Sequence, residues 1–263
     1  MTETAEGITV EGLRSHLEGG ILRITINRPK RMNALDLGTM GALRDAVAAA
    51  GTDERVRTIV LTGEGTAFCT GADLAAAGAN PTDPNVVMDT ANSLIRAIVE
   101  SPVPVVAAVN GPAAGVGVSI AVAADLTYAA ESAYFLLAFV NIGLMPDGGS
   151  SMLIPAAIGR ARAAEMALLG ERVSAADAAH YGLVARTLPD GELTAHVDAV
   201  AARTARGPRR ALALTKQALN NATLPALDDA LALEKTGQVE LLASADFAEG
   251  AMAVLQKRRP DFG

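Results

Sequence analysis

Apolar Leu22, Ile24 and Ile26 alternate with Arg23 and Thr25, which predicts a half-exposed strand over residues 21–26. Residues 56–62 and 103–109 are β-branched and nearly all apolar, as in strands covered on both faces. Between these runs the period changes to that of helices. Asp36 is placed to cap an Ala-rich helix running toward Ala50, and a second helix is expected over 86–99. Strands alternating with helices in this way give an α/β fold. Beyond Gly159 the β signal fades, and Ala, Leu, Arg and Glu predict mostly helix. Ser174 and Asp177 form a capping-box pattern there, and Gly207-Pro208 and Leu224-Pro225 mark helix boundaries. With no long polar linker and no fixed-period repeat, the chain reads as a single domain.

Two of the apolar strands lead into turns built from small residues. Thr66-Ala67-Phe68-Cys69-Thr70-Gly71-Ala72-Asp73-Leu74 follows the first, and Asn110-Gly111-Pro112-Ala113-Ala114-Gly115-Val116-Gly117 follows the second. Side chains this small leave main-chain N–H groups open to a ligand, and two such turns side by side suit the capture of an oxyanion. The bland reading is a pair of tight strand-to-helix turns.

Composition narrows the chemistry. At 263 residues and 50% hydrophobic content the chain can bury a large core. A net charge of −7, 3% aromatic residues and no Trp leave neither a basic footprint nor stacking platforms for nucleic acid. The acidic start Met1-Thr2-Glu3-Thr4-Ala5-Glu6 lacks the basic and apolar regions of a secretory signal. The most apolar run, 115–124, contains Ser119, ends at Asp125 and falls short of the roughly 18 residues of a membrane span. A soluble, cytoplasmic protein is expected. Cys69 is the only cysteine, which excludes an intrachain disulfide and suits a small buried side chain.

Several local motifs offer rival chemistries. Gly111, Gly115 and Gly117 after a strand are similar to the glycine-rich turn of short-chain dehydrogenases. In those enzymes the turn lies near the N-terminus and a Tyr-xxx-Lys pair follows, whereas Tyr128, Tyr134 and Tyr181 are followed four positions on by Ser132, Ala138 and Ala185. A nucleophile elbow at Ser119 needs Gly where Ala121 stands. His16, His180 and His196 lack metal-ligand spacing, and no metal site is expected. Arg28, Lys30, Arg31 and Lys257-Arg258-Arg259 are basic clusters whose plainest reading is solvated surface.

The two small-residue turns, together with Asn27-Arg28-Pro29-Lys30-Arg31-Met32-Asn33-Ala34-Leu35, Ile142-Gly143-Leu144-Met145-Pro146-Asp147-Gly148-Gly149 and Phe247-Ala248-Glu249-Gly250, closely resemble the enoyl-CoA hydratase/isomerase (crotonase) family in order and approximate spacing. The resemblance spans nearly the whole chain. It implies a crotonase-like spiral of ββα units over 1–200, with 201–263 a helical trimerisation region of the same domain, and assembly into a homotrimer or a dimer of trimers. The substrate it implies is an acyl-CoA thioester, with no cofactor beyond the coenzyme A that the substrate carries. By the same resemblance Ala72 and Val116 supply the two oxyanion N–H groups. Arg28, Met32, Ala34, Thr70, Gly71, Asp73, Leu74, Ala114, Gly115, Ser119, Phe139, Leu144 and Lys257 border the substrate. Asp73 itself reads as a residue that fixes its loop or caps the next helix.

The chain departs from the hydratase branch where that branch carries two glutamates, for Ser119 and Phe139 stand at those positions. Neither side chain accepts a proton as a carboxylate does, so hydration does not follow from the resemblance. Asp147 stands where Δ3,Δ2-enoyl-CoA and phenylacetate-pathway isomerases carry an acidic proton shuttle. Read alone, Pro-Asp-Gly-Gly is also good turn chemistry, with Asp147 as the cap of a helix beginning near Ser150. A cap lowers a carboxyl's pKa, whereas burial near Phe139 and Leu144 raises it, so the two readings oppose each other. Three functions are therefore in view: an enoyl-CoA isomerase, an enoyl-CoA hydratase, and an acyl-CoA binder without catalysis.

Overall fold

The computed structural model describes residues 6–79 and 82–263, so Met1 to Ala5 of the acidic start lie outside the described residues. The main sheet opens with three antiparallel strands, β1 (Glu6–Val10), β2 (Leu13–Glu18) and β3 (Ile21–Ile26). From β3 onward it is parallel, through β4 (Thr58–Gly63), β5 (Val105–Val109), β7 (Leu126–Ala130) and β10 (Arg186–Leu188). The β4 and β5 side chains are buried almost throughout, as runs without alternation require. Helices α1 (Leu37–Thr52) and α3 (Pro84–Glu100) pack on one another, while α7 (Leu193–Ala205) lies against β4 and β5. Asp36 caps α1 by accepting from the Thr39 N–H at 2.8 Å, as its position in the sequence predicts.

A second, smaller sheet contains β6 (Ala113–Ala114), β8 (Tyr134–Leu136) and β9 (Arg172–Ser174). The chain alternates between the two sheets: β5 leads to β6 and α4 (Val116–Ala123), and β7 leads to β8 and α5 (Ser150–Leu169). One turn earlier, β4 leads to a single parallel bridge from Cys69 to Ala113, then to α2 (Leu74–Ala79) and α3. This is a spiral of ββα units. Each unit adds one rung to each sheet.

The expectation that β structure fades after Gly159 is corrected at two places, β9 and β10, which have only three residues each. Strands so short take their stability from pairing with β8 and β7 and carry no period of their own. The remaining elements are helical: α6 (Ala175–Tyr181), α8 (Arg209–Thr223), α9 (Leu227–Leu242) and α10 (Ala245–Leu255). Ser174 caps α6 by accepting from the Asp177 N–H. The buried Lys216 ammonium anchors α8 to the body by donating to the Ile98 carbonyl at 2.8 Å and pairing with Asp125 at 2.9 Å. No helix among the described residues is long and apolar enough to cross a membrane.

Candidate active site

Parallel strands deliver their C-terminal loops to one edge, where α/β folds generally bind ligands. Here the loops after β3, β4 and β5 meet. Asn33, fully buried, donates to the carbonyls of Ala67 at 2.7 Å and Glu64 at 2.9 Å and accepts from the Arg28 N–H. Asn110 accepts from the Gly63 N–H and donates to the carbonyls of Gly63 and Gly65. These two amides, which lie within the resembling motifs but are not among the expected site residues, fasten the loops together. Gly117 is glycine because a Cβ there would collide with the Cys69 carbonyl. Its small size serves loop-to-loop packing, which disfavours the dinucleotide-turn reading. The Cys69 thiol is fully buried, and burial pushes its pKa up to about 12, so it remains an inert packing group.

The first donor arises from a parallel bridge between Leu35 and Ala72. Leu35 donates to the Gly71 carbonyl at 2.8 Å and accepts from the Asp73 N–H at 2.9 Å. In such a bridge the Ala72 N–H points away from the partner strand. The second arises at the first residue of α4. The Gly115 N–H is held by the Leu136 carbonyl at 2.9 Å, and at φ 53°, ψ −129° Gly115 takes a conformation open essentially to glycine. That turn leaves the Val116 N–H at the positive end of the helix. Among the described residues neither the Ala72 nor the Val116 N–H has an acceptor. The two loops touch, since a Cβ on Gly71 would stand 3.1 Å from the Ala114 carbonyl oxygen and 3.8 Å from the Gly115 Cα. Phe139 borders them, its ring tip 3.8 Å from where a Gly115 Cβ would be.

Asp147 enters from the other side. Ser119, one turn along α4 from Val116, donates its hydroxyl to the Asp147 carbonyl at 2.9 Å and so ties the acidic loop to the second donor. The Asp147 side chain does not cap α5. Gly149 holds the N-cap position, and the Gly149 and Ser151 N–H groups instead donate to Glu234 of α9, at 2.7 and 2.9 Å. The cap reading of Asp147 is thereby corrected. Its Oδ2 accepts from the Gln238 amide at 2.7 Å, while Oδ1 is buried without a hydrogen-bond partner among the described residues. Burial, reinforced by the charge of Glu234 and opposed by the Gln238 bond, raises its pKa from 3.8 to about 7. A group poised near neutrality in this way suits proton transfer.

The other expected site residues divide. Thr70 donates its hydroxyl to the Met32 carbonyl at 3.0 Å, joining the first and second loops, with Met32 and Ala72 exposed and Ala34 and Leu74 half-buried beside them. Asp73 fixes its loop as expected, accepting from the Ala76 N–H at 3.1 Å. Arg28 pairs with Asp36 at 2.8 Å and Asp73 at 3.0 Å and donates to the Ala34 carbonyl, so its guanidinium braces the loops from within. The Leu144 N–H donates to the Phe139 carbonyl at 2.9 Å, which orders the segment before Asp147. Lys257 lies exposed beyond α10, and no hydrogen bond or ion pair ties its side chain to these loops among the described residues. Glu234 and Gln238 carry no signal in the sequence, for they lie 85 and 91 positions from the groups they bind.

Residues 16–263 match the model of the enoyl-CoA hydratase/isomerase family. A probable enoyl-CoA hydratase of Rhodobacter capsulatus is 44% identical over 95% of this chain and 97% of its own. The 1,2-epoxyphenylacetyl-CoA isomerase of Escherichia coli is 38% identical over 96% and 98%. Among solved structures, an enoyl-CoA hydratase from Mycobacterium avium subsp. paratuberculosis superposes with a TM-score of 0.91 at 47% identity, covering 97% of this chain and all of that one. Matched over nearly its full length in sequence and in fold, the chain belongs to the enoyl-CoA hydratase/isomerase family, the crotonases that act on acyl-CoA thioesters.

Proposed function

We propose that the protein is an enoyl-CoA isomerase that moves a double bond from the Δ3 to the Δ2 position. The observation that carries this reading is the environment of Asp147: a buried carboxyl with one unpartnered oxygen, tied through Ser119 to the helix that offers the Val116 N–H. In the reaction, the Asp147 carboxylate takes a proton from C2, the carbon beside the thioester. The electron pair moves onto the thioester oxygen, where the Ala72 and Val116 N–H groups stabilise the enolate. Its collapse places the double bond between C2 and C3, and Asp147 returns the proton to C4. One carboxyl suffices. Both oxygens of Glu234 are engaged by backbone N–H groups, so it is not free to activate water, and Ser119 and Phe139 offer no carboxylate.

The names of the relatives support both activities, and turnover separates them. Presented with a 3-enoyl-CoA, the enzyme is expected to form the conjugated product at least about a hundredfold faster than it hydrates a trans-2-enoyl-CoA, the scale of a positioned general base present or absent. Efficient hydration would favour the hydratase, and binding without either reaction would favour the non-catalytic binder. The same reading makes the protein a cytoplasmic enzyme with no cofactor beyond the coenzyme A of its substrate. Assembly as a trimer or dimer of trimers is supported by the helical region after 200, where Leu214, Leu219 and Leu233 are 44%, 61% and 69% exposed. Sedimentation at micromolar concentration should give a mass that is a multiple of three chains, and a monomer would contradict the assembly.

A further inference from the structure

The start of α5 and the acidic loop before it both rest on α9. Glu234 and Gln238 stand four residues apart, on one face of that helix, and are 0% and 1% exposed. Gln238 donates to the Met145 carbonyl at 3.1 Å as well as to Asp147 Oδ2, and its own oxygen accepts from the Met145 N–H at 3.3 Å. One amide therefore grips both the backbone before Pro146 and the carboxyl after it. Glu234 satisfies the N–H groups that an aspartate before a helix would ordinarily serve.

We propose that Glu234 and Gln238 are positioning residues for Asp147: Glu234 caps α5 in its stead, and Gln238 holds Oδ2 so that Oδ1 is left for the substrate's proton. This rests on the isomerase reading of Asp147. Without Glu234, the Gly149 and Ser151 N–H groups would draw the Asp147 carboxylate toward the helix end and away from C2. Without Gln238, the carboxyl would turn freely.

The two residues act oppositely on the charge of Asp147, and this gives a signature that loosened packing would not produce. Glu234 is the charged neighbour that opposes its ionisation, and Gln238 is the donor that favours it. Elsewhere around the loop α4 carries no ionisable side chain and α5 none before Arg160, while on α3 the exposed Asp89 pairs with Lys235 and the half-buried Arg96 with Asp228. In the pH profile of kcat/KM for a 3-enoyl-CoA, Glu234→Gln should move the acidic limb to lower pH and Gln238→Met to higher pH. Each should lower kcat about tenfold through misplacement of the base, with KM little changed. Asp147→Asn measured alongside separates the two layers. If it retains turnover, the isomerase reading falls and the positioning role with it. If it is inactive while both α9 variants keep the wild-type limb and kcat, the positioning role alone is overturned. Should Gln238→Met not fold, the Glu234→Gln limb decides the matter, and an unmoved limb overturns the proposal.

Discussion

Asp147→Asn is expected to lower isomerisation of a 3-enoyl-CoA by about a hundredfold or more and, above pH 7, to make the protein more stable than the wild type. The loss of rate follows because the amide keeps the shape of the carboxyl but accepts no proton. The gain in stability follows from the sign of the pKa shift. The folded-state value, about 7, lies above the ordinary carboxyl value of 3.8. Below about pH 3 the group is protonated whether the chain is folded or not, and it has no effect on the balance. As pH rises from there to about 7 the unfolded chain ionises freely while the folded one resists, and stability falls. Above 7 the full cost is present, at most about 4 kcal/mol for a gap of roughly three units. The Asn variant escapes this cost, though its buried NH2 lacks an acceptor at every pH, so a net gain of about 2 kcal/mol at pH 8 is expected, turning into a loss of about 2 kcal/mol near pH 3. Denaturant melts at the two pH values check this. A variant that lost stability at pH 8 and kept its rate would return Asp147 to a structural role.

Val116→Pro should cost about 3 kcal/mol of transition-state stabilisation, a factor of a hundred or more in kcat, while leaving the fold intact. The substitution suits this position unusually well. Val116 is the first residue of α4, where proline's missing N–H breaks no helical bond and its fixed φ fits. The side chain is 5% exposed, so some apolar contact is lost, about 1 kcal/mol. Val116→Ala serves as the control: it loses side-chain contact and keeps the N–H, so its kcat should stay within a few-fold of wild type. Equal damage from both variants would mean that the Val116 side chain matters and its N–H does not. A folded Pro variant with undiminished turnover would remove Val116 from the oxyanion site.

A feature of this protein is legible in the sequence to the extent that it is determined locally. Strand 21–26 and the caps Asp36 and Ser174 are readable because the residues that create them are neighbours in sequence. The small-residue turns are readable for the same reason, and the family resemblance places Ala72 and Val116 within them. The ββα repeat leaves no periodic trace, since β6 is two residues long and the Cys69 rung a single bridge, lengths at which no period exists. Arg28 reads as a surface charge or a residue bordering the substrate because Asp73, which it pairs with, lies on the following loop. Asp147 is ambiguous for a deeper reason. Pro-Asp-Gly-Gly has the same local chemistry whether its carboxylate caps a helix or works as a base. What decides between them is Glu234, a competing cap delivered by α9 from 85 residues away.

The proposed mechanism centres on Asp147, a buried carboxyl that caps no helix, as the group that removes the proton at C2. Its most direct test is the pH dependence of kcat/KM for a 3-enoyl-CoA, which reports the groups of the free enzyme. The rate should rise with pH through an inflection at about 7, along a limb that is absent from the residual activity of Asp147→Asn. A wild-type rate that is already at its plateau by pH 5, or a limb that persists unchanged in the Asn variant, would contradict the assignment.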